Sequence, residues 1–303
     1  MYLLKFDNKK MLCQKYLASQ ISPYIENNNG KKRLIEPPSE ELKRIQRNLK
    51  NILLGINIPK NVFSGVKGRS YIDNSKFHLG NKYLFKMDLT GFFPSISREN
   101  VYKFFINNLK ASADIAEILT NMTTVDLNMA NTKFPEVINT FLAEKGITSY
   151  NHLISGAPTS QILSYLANIN MFNEIQTVSD KSDIIFTIYV DDLTFSSENN
   201  ISNAFKNQIF KIVSQYGYHV SSKKTKCYSR NYPKLVTGVI IKRNGTITLR
   251  NSLHAKIIHE FTKLRANPNN NRSRLRLNGL ITAARQINPN AFPGIYMYLH
   301  QKK

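Results

Sequence analysis

Three aspartates are the strongest candidates for chemistry in this sequence. Asp191 and Asp192 are adjacent within FTIYVDDLTFSS (186–197), where two runs rich in apolar and β-branched residues predict a hairpin. Asp88 lies 103 residues before Asp191, at the end of a strand predicted over 82–89. Carboxylates that converge from separate strands can hold the two Mg²⁺ ions of metal-assisted phosphoryl transfer. Taken alone, each part also fits an ordinary acidic turn, because aspartate is common in turns.

Two phenylalanines follow Asp88 in the segment FKMDLTGFFPSI. We expect Phe92 to pack in the core. Phe93 could do the same, or its ring could form a platform beneath a nucleotide sugar. In that position a bulky ring would exclude a 2′-OH and select dNTPs.

Three further segments could contact a nucleotide. Lys32 and Arg33, in GKKRLIEPP, could bind a triphosphate, with Arg33 bidentate, or could belong to a solvated charge run. Lys224, in SSKKTK, could lie near a leaving pyrophosphate, although a generic phosphate contact or an exposed face explains it nearly as well. Gly156, in LISGAPTSQILSYL, would allow a base pair or template backbone to approach closely, or would precede an ordinary capped helix.

The net charge of +22 is the strongest global property of the chain. From residue 199 onward there are 19 Lys and Arg and a single acid, Glu260, so one end of the molecule should be strongly positive. Such an excess indicates a polyanionic partner. Nucleic acid fits better than a membrane, because the basic residues do not line one amphipathic helix.

Several features predict a cytoplasmic protein that does not bind membranes. No apolar stretch approaches the length needed to cross a bilayer. The first residues lack the apolar core of a secretory signal. Cys13 and Cys227 form neither a disulfide framework nor a zinc set.

The periodicity of the chain mixes strands and helices up to about residue 251 and is helical beyond it. A second hairpin is predicted over 235–249, with Asn244-Gly245 in a type I′ turn. The stretch 123–150 is hard to place and is interpreted as an insertion. Predicted helices begin at the caps Ser39, Ser97, and Thr159 or Ser160, and cover 39–56, 97–109, 112–122, 202–216, 253–266, 273–287 and a helical tail. The fold class predicted from these elements is α+β.

Taken in order, these segments resemble a reverse transcriptase. The ordered set is GKKRLIEPP, a helix containing Gln46, FKMDLTGFF, SGAPTSQILS, YVDD and KKT, and it spans most of residues 30–250. The resemblance implies a right-hand polymerase with fingers at 1–80 and a ferredoxin-like palm, an antiparallel sheet plus helices, at 81–250. It further implies a fingers-side insertion near 111–150 and a small helical thumb that binds RNA at 251–303.

The same resemblance implies the roles of individual residues. Mg²⁺, with Mn²⁺ as an alternative ion, would be bound by Asp88, Asp191, Asp192 and the backbone carbonyl of Leu89. Phe93 would be the sugar gate. Nucleotide binding would fall to Lys32, Arg33, Phe93, Gly156 and Lys224.

Within that family the chain looks most like a bacterial retron enzyme. Such enzymes carry Asn-Ala-x-x-His, matched here by Asn74 and His78 with Ser75 in place of alanine, and Val-Thr-Gly, matched at residues 236–238. The chain departs from many relatives at Ile154-Ser155, where they have Pro-Gln, and at Gln161, where proline is usual. Residues expected to contact RNA are Asn74, His78, Lys256, Lys263, Arg265, Arg272, Arg274, Arg276 and Arg285.

The function expected from this resemblance is RNA-directed DNA synthesis. The enzyme would copy part of its cognate structured non-coding RNA, prime from a guanosine 2′-OH and use dNTPs to make branched multicopy single-stranded DNA (msDNA). The resemblance also implies an anti-phage role with a separately encoded effector protein. Two alternatives stay open: another bacterial lineage (abortive-infection, diversity-generating or group II intron-derived), or a structural RNA-binding subunit with an idle site.

Overall fold

The computed structural model describes residues 4–28 and 30–300. It combines α-helices with antiparallel strands, which confirms the α+β class. The strands are β1 (Tyr24–Asn28), β2 (Lys31–Ile35), β3 (Tyr83–Asp88), β4 (Thr124–Asp126), β5 (Asn151–Leu153), β6 (Ile185–Tyr189), β7 (Asp192–Ser197), β8 (Lys226–Tyr228), β9 (Lys234–Val236), β10 (Val239–Ile241) and β11 (Ile247–Leu249).

The helices cover the segments between these strands and most of the C-terminal part. They are α1 (Gln14–Ser19), α2 (Glu40–Leu53), α3 (Tyr71–Lys76), α4 (Phe92–Ser95), α5 (Arg98–Lys103), α6 (Ala113–Thr123), α7 (Pro135–Glu144), α8 (Ser160–Leu166), α9 (Ile169–Lys181), α10 (Asn203–Gln215), α11 (Asn251–Ala266), α12 (Asn271–Ile287) and α13 (Pro293–His300). A π-helix, Phe104–Asn108, continues α5. In the described residues no helix is both long and apolar enough to cross a membrane.

A four-stranded antiparallel sheet, in the order β6-β7-β3-β8, lies at the centre of the molecule. Three aromatic rings stack through it: Phe195 of β7 lies 4.8 Å from Phe186 and 5.5 Å from Phe85, measured between centroids. Helix α10 covers the same core, because Phe205 and Phe210 meet these rings edge-on. Burying a side chain of this size contributes roughly 1.5–3 kcal/mol, so the sheet is a rigid support for the turn that connects β6 and β7.

The N-terminal part consists of the β1–β2 hairpin and helix α2. Ser39 caps α2 as predicted, since its hydroxyl accepts a hydrogen bond from the backbone N–H of Leu42. The apolar stripe of α2 is buried in the same core as the central sheet. Leu34 of β2 is buried in that core as well, so the hairpin packs directly against the rest of the molecule.

The stretch 123–150 has regular structure of its own. Strands β4 and β5 pair with each other, and α7 lies in the connection between them. Helix α7 packs against both strands of the N-terminal hairpin. This stretch is therefore a folded support beside the hairpin.

The C-terminal part begins with the three-stranded sheet β9-β10-β11. The type I′ turn predicted at Asn244-Gly245 is wrong, because only Gly245 has a positive φ (76°). The two-residue loop with positive φ at both positions is instead Thr237-Gly238 (42° and 91°), between β9 and β10. Helices α11, α12 and α13 pack with this sheet in a second core, which also contains Ile72 from α3.

Candidate active site

Asp88 and Asp192 lie directly opposite each other at one end of the central sheet. Asp88 is the last residue of β3 and Asp192 the first of β7, and the two are paired in register. Asp191 lies in the two-residue turn before Asp192, and its carbonyl accepts a hydrogen bond of 2.9 Å from the N–H of Leu89. The structure therefore brings together the three aspartates and Leu89, as the sequence predicted for one site.

The turn that carries Asp191 is strained. Val190, the other residue of this turn, has a φ of 58°, a region that β-branched residues rarely adopt. Such strain persists only where the surrounding structure enforces it, and it is concentrated at functional sites. The strained residue directly precedes Asp191, which marks this turn as a candidate functional site.

Burial and the neighbouring negative charges dominate the electrostatics of Asp191 and Asp192. Burial, followed by the charge of Asp88, raises the pKa of Asp191 to about 6. Burial also raises the pKa of Asp192, and the nearby Lys86 ammonium, 3.6 Å from Asp192 Oδ2, opposes that rise. A site with these properties favours the arrival of positive charge.

Lys224 forms an ion pair with Asp88 and offsets part of the negative charge of the site. Its Nζ donates to Asp88 Oδ1 at 2.8 Å and to Oδ2 at 2.7 Å. The sequence predicted Lys224 near a nucleotide phosphate. In the structure it lies at the same site, but it is bonded to the Asp88 carboxylate. Its side chain is 58% exposed, so it can move away without a large loss of packing.

The residues at the sheet end fit a hard divalent cation. Asp192 Oδ1 is buried and accepts no hydrogen bond, although buried carboxylate oxygens normally have a partner. Carboxylate oxygens and a backbone carbonyl are the ligands that Mg²⁺ prefers. Among residues 4–28 and 30–300, no three acidic, histidine or cysteine side chains form a ready-made metal-binding group. A metal ion would therefore have to displace Lys224 from Asp88.

Phe92 and Phe93 follow the site in α4. Phe92 is 4% exposed and packs in the core as predicted, with its ring 5.3 Å from that of Tyr218. Phe93 is only partly buried, so part of its side chain is accessible. Gly156 is exposed, with a φ of 109° and open space where a Cβ would project. Both positions are compatible with the predicted nucleotide contacts.

Lys32 and Arg33 lie on opposite faces of β2, because side chains alternate along a strand. Lys32 forms an exposed ion pair with Glu144 of α7, with 3.3 Å between Nζ and Oε1. Arg33 is exposed and lies opposite Glu26 in the register of the hairpin. Of the two predicted triphosphate ligands, Arg33 is the one whose side chain points away from the insertion.

A basic groove runs beside the hairpin of β6 and β7. Its volume is about 570 Å³, and it is lined by Tyr189 from the hairpin, Gln161 from α8 and four basic side chains, Arg47, Lys50, Lys67 and Arg69. Sequence reasoning missed this groove, since its basic residues come from α2 and the following loop. Gln161, one of the noted departures from proline, contributes a polar side chain to its wall.

Asn74 and His78 are fully buried, so neither is available for the predicted RNA contact. His78 bonds to Ser196 and Thr187 of the central sheet at 2.7 Å each. Asn74 Nδ2 lies 3.4 Å from Thr237 Oγ1. These residues form internal contacts, and burial is a property that a motif in a sequence does not reveal.

The predicted RNA-binding cations of the C-terminal helices fall into two groups. Two of them have internal partners: Arg276 pairs with Glu260 at 3.6 Å, and Arg285 donates to the carbonyl of Ala291 and stacks on Tyr296. The other five lie on the surface. Arg274 is half-buried, and four are exposed: Lys256, Lys263, Arg265 and Arg272.

Comparison with known proteins identifies the relatives of the chain. A family model described as reverse transcriptase (RNA-dependent DNA polymerase) matches residues 25–248. The retron Se72 reverse transcriptase of Salmonella heidelberg is 27% identical over 205 residues, 65% of this chain and 47% of that protein. The retron Mx65 reverse transcriptase of Myxococcus xanthus is 23% identical over 276 residues, 88% of this chain and 60% of that protein.

A third relative is covered more completely. The retron Ec86 reverse transcriptase of Escherichia coli is 28% identical over 246 residues, 78% of this chain and 68% of that protein. The matches to the Se72 and Mx65 enzymes thus span only 47% and 60% of their lengths.

Proposed function

The chain belongs to the reverse transcriptase family, and from this premise we propose that it is an RNA-directed DNA polymerase. The observation that carries the proposal is the in-register pair of Asp88 and Asp192, with Asp191 in the adjoining strained turn. Phosphoryl transfer needs carboxylates held together on a rigid support, and the central sheet supplies that support.

We further propose a right-hand arrangement for the elements. Residues 1–80 are the fingers, 81–250 the palm with the central sheet, and 251–303 the thumb. The two cores support this division, because the helices after residue 250 pack mainly in the second core. The sheet β9-β10-β11 belongs to both sides, since Val236 and Ile241 contact Leu84 while Val239 and Leu249 pack with the thumb.

In the proposed mechanism, the chain's own residues bind and orient the reactants. Asp88, Asp191, Asp192 and the carbonyl of Leu89 would hold Mg²⁺, with Mn²⁺ as an alternative. When bound, the metal would lower the pKa of the attacking hydroxyl and neutralise the leaving pyrophosphate.

Other residues would act on the nucleotide directly. Arg33 would bind the triphosphate through its planar guanidinium, with Lys32 adding charge once it leaves Glu144. Lys224, released from Asp88, would approach the departing pyrophosphate. The accessible part of Phe93 would pack against the sugar and exclude a 2′-OH, and Gly156 would let the base pair approach closely.

We propose that the template is a cognate structured non-coding RNA. The support is that the three relatives described above are retron reverse transcriptases. This proposal includes priming from a guanosine 2′-OH and an msDNA product. It also includes an anti-phage role with a separate effector and a cytoplasmic location. The basic groove beside Tyr189 and the exposed thumb cations offer positive surface for the phosphate backbone.

A double substitution tests the polymerase proposal. Asp191→Asn with Asp192→Asn should lower the rate of extension of a DNA primer on an RNA template, with dNTPs and Mg²⁺, by about 10³-fold or more. The reason is the loss of metal ligands. The matched control is Asp180→Asn with Asp183→Asn, two exposed aspartates at the end of α9, which should extend at the wild-type rate.

Equal extension by the wild type and the Asp191/Asp192 variant would refute the catalytic assignment and favour an RNA-binding subunit with an idle site. Sequencing the nucleic acid that copurifies with the protein separates the lineages. A small branched RNA–DNA molecule supports the retron proposal, and its absence in an active preparation favours another bacterial lineage.

A further inference from the structure

A buried acid and a buried histidine join the fingers hairpin to the palm, and no polymerase step described above uses them. Glu36, directly after β2, and His152, in β5, are both completely buried, and their Oε1 and Nε2 atoms lie 2.9 Å apart. Glu36 Oε2 accepts a hydrogen bond of 2.6 Å from the N–H of Ser155, and the Glu36 N–H donates to the Ser155 carbonyl at 2.9 Å. Glu36 thus makes three contacts across one interface.

The partners of the imidazole define its charge. His152 Nδ1 lies 3.1 Å from the carbonyl oxygen of Ser149, which can only accept, and Nε2 faces the Glu36 carboxylate. Both partners favour an imidazolium, which can donate from Nδ1 and from Nε2. Burial alone lowers the pKa of His152, but Glu36, the Ser149 carbonyl and Asp126 together raise it above its ordinary value.

The alternation of side chains along β2 directs Glu36 toward the insertion and Arg33 away from it. Lys32, Leu34 and Glu36 share one face: Leu34 is buried, and Lys32 pairs with Glu144 of α7. The exposed Lys32–Glu144 pair contributes little, because water screens it. The buried contacts of Glu36 are therefore the main polar attachment of the hairpin.

The turn that receives these contacts is fixed on its other side as well. The N–H of Ile154 donates to the carbonyl of Thr123 at 3.2 Å, a bond that a proline at this position could not make. The Ser160 hydroxyl donates to the Ile154 carbonyl. Gly156, with its open approach, follows directly after this fixed segment.

We propose that Glu36 and His152 are positioning residues that hold Arg33 and Gly156 as one preassembled unit around the incoming nucleotide. The inference rests on the proposed polymerase function and deepens it. Without the pair, the hairpin and the turn 154–157 would move independently, and the nucleotide would have to bring them together when it binds. Preorganisation of this kind affects nucleotide binding more than the chemical step.

The experiment replaces the pair with apolar side chains. Glu36→Leu with His152→Leu removes the side-chain contacts of Glu36 to Ser155 and His152 and leaves the backbone bond between residues 36 and 155. The variant should still fold, because buried ion pairs generally tolerate apolar replacement. In steady-state primer extension we expect the KM for dNTPs to rise about tenfold, with a smaller change in kcat and unchanged affinity for template RNA. Glu36→Gln should stay near the wild-type KM, since glutamine can accept from the Ser155 N–H and donate to a neutral His152.

Glu144→Gln is the matched control, because it breaks only the exposed contact of the same hairpin. Its KM should not rise by more than about twofold, because the exposed pair contributes little and its loss leaves Lys32 free for the triphosphate. A double-leucine variant that folds and keeps the wild-type KM would overturn the proposal, as would equal effects of Glu36→Gln and the double replacement.

Hydrogen exchange provides a readout that does not depend on polymerase activity. In the double-leucine variant, amides of residues 31–35 and 153–157 should lose protection together, while those of α2 stay protected. If only one segment changes, the two are not coupled and the inference fails. If the wild type itself extends no primer, the proposed function and the nucleotide role fail, and the exchange result still decides whether the pair couples the two segments.

Discussion

Asp88 and Asp192 face each other across two paired strands, and the resulting repulsion is offset by lysines from neighbouring segments. Lys86 extends from the same strand as Asp88, whereas Lys224 arrives from the loop before β8. The adjacent acids and the strand-end acid were visible in the sequence, because each is marked by its local pattern. The contact between Lys224 and Asp88 was not visible, because 136 residues separate the two in the chain.

Lys224 occupies a carboxylate that a metal ion must use, so its removal should strengthen metal binding. In nucleic-acid-free protein, Lys224→Met should tighten Mn²⁺ binding about fivefold, which corresponds to roughly 1 kcal/mol for a half-exposed ion pair. The measurement is a titration of free Mn²⁺ by electron paramagnetic resonance. Lys223→Met is the matched control, because the neighbouring lysine is exposed and should leave the affinity unchanged.

Unchanged or weaker Mn²⁺ binding in Lys224→Met would contradict this account. It would mean that the lysine does not compete with the metal at Asp88. The Lys223 control guards against a general effect of reduced positive charge, which would change both variants in the same direction.

At the scale of elements, helix α3 connects the central sheet to the small sheet β9-β10-β11. The Ser75 hydroxyl lies 3.0 Å from the carbonyl of Val236, and the Thr237 hydroxyl donates to the carbonyl of Tyr71 at 2.8 Å. His78, just after the helix, bonds to two hydroxyls of the central sheet. The two motifs that the resemblance singled out, Asn-Ser-x-x-His and Val-Thr-Gly, are therefore joined by hydrogen bonds from Asn74 and Ser75 to residues 236 and 237.

His78 should make stability depend on pH. Burial lowers its pKa to about 3, whereas the unfolded value is near 6.5. Below pH 6.5 the unfolded chain binds a proton that the folded chain excludes, so this contribution is lost as pH falls from 6.5 toward 3. Between pH 7 and pH 5 the wild type should lose about 2 kcal/mol relative to His78→Gln, measured by urea unfolding at each pH.

Thr187→Val is the control for that measurement. It removes a hydrogen-bond partner of the ring but leaves the imidazole in place. Its stability difference from the wild type should therefore stay nearly constant over the same pH range. If the His78→Gln difference also stays constant, the ring is protonated in the folded protein and the burial argument fails.

Elements defined by local pattern were predictable, and those defined by distant contacts were not. Helix α10 lies within the predicted range 202–216, and the hairpin of β6 and β7 turns within one residue of the predicted position. Strand β8 was missed, because KCY carries no alternation and is a strand only through its pairing with β3. Of the two residues predicted to cap α8, Thr159 is at the N-cap position but makes no side-chain capping bond, and the Ser160 hydroxyl bonds to the carbonyl of Ile154.

At the scale of the whole molecule, two cores meet at the small sheet β9-β10-β11. The boundary predicted at residue 251, where strands give way to helices, lies inside the second core, which contains Ile72 and otherwise runs from Val239 onward. The sequence alone could not show this, because the strands of this sheet are apolar on both faces. The Glu36–His152 pair escaped prediction for a similar reason, since its members are 116 residues apart and each resembles a surface residue.

The charge asymmetry of the chain leads to a prediction about the thumb. Arg265 ends α11 and Arg272 begins α12, so both exposed side chains flank the loop 267–270 at one end of the helix pair. If they contact RNA phosphates, Arg265→Ala with Arg272→Ala should weaken RNA binding at moderate salt. It should also reduce the slope of log K against log salt by about one to two units, because each lost phosphate contact removes about 0.7–0.9.

Filter binding to the copurified RNA at several salt concentrations measures this slope. Lys181→Ala with Lys211→Ala removes the same charge from exposed palm helices and should leave the slope unchanged. Equal slopes for the wild type and the arginine variant would place the RNA elsewhere on the molecule. An equal reduction of the slope in both variants would show that RNA affinity depends on total charge and not on a local surface at residues 265 and 272. A local contact depends on where the cation lies, whereas the field of the net charge does not.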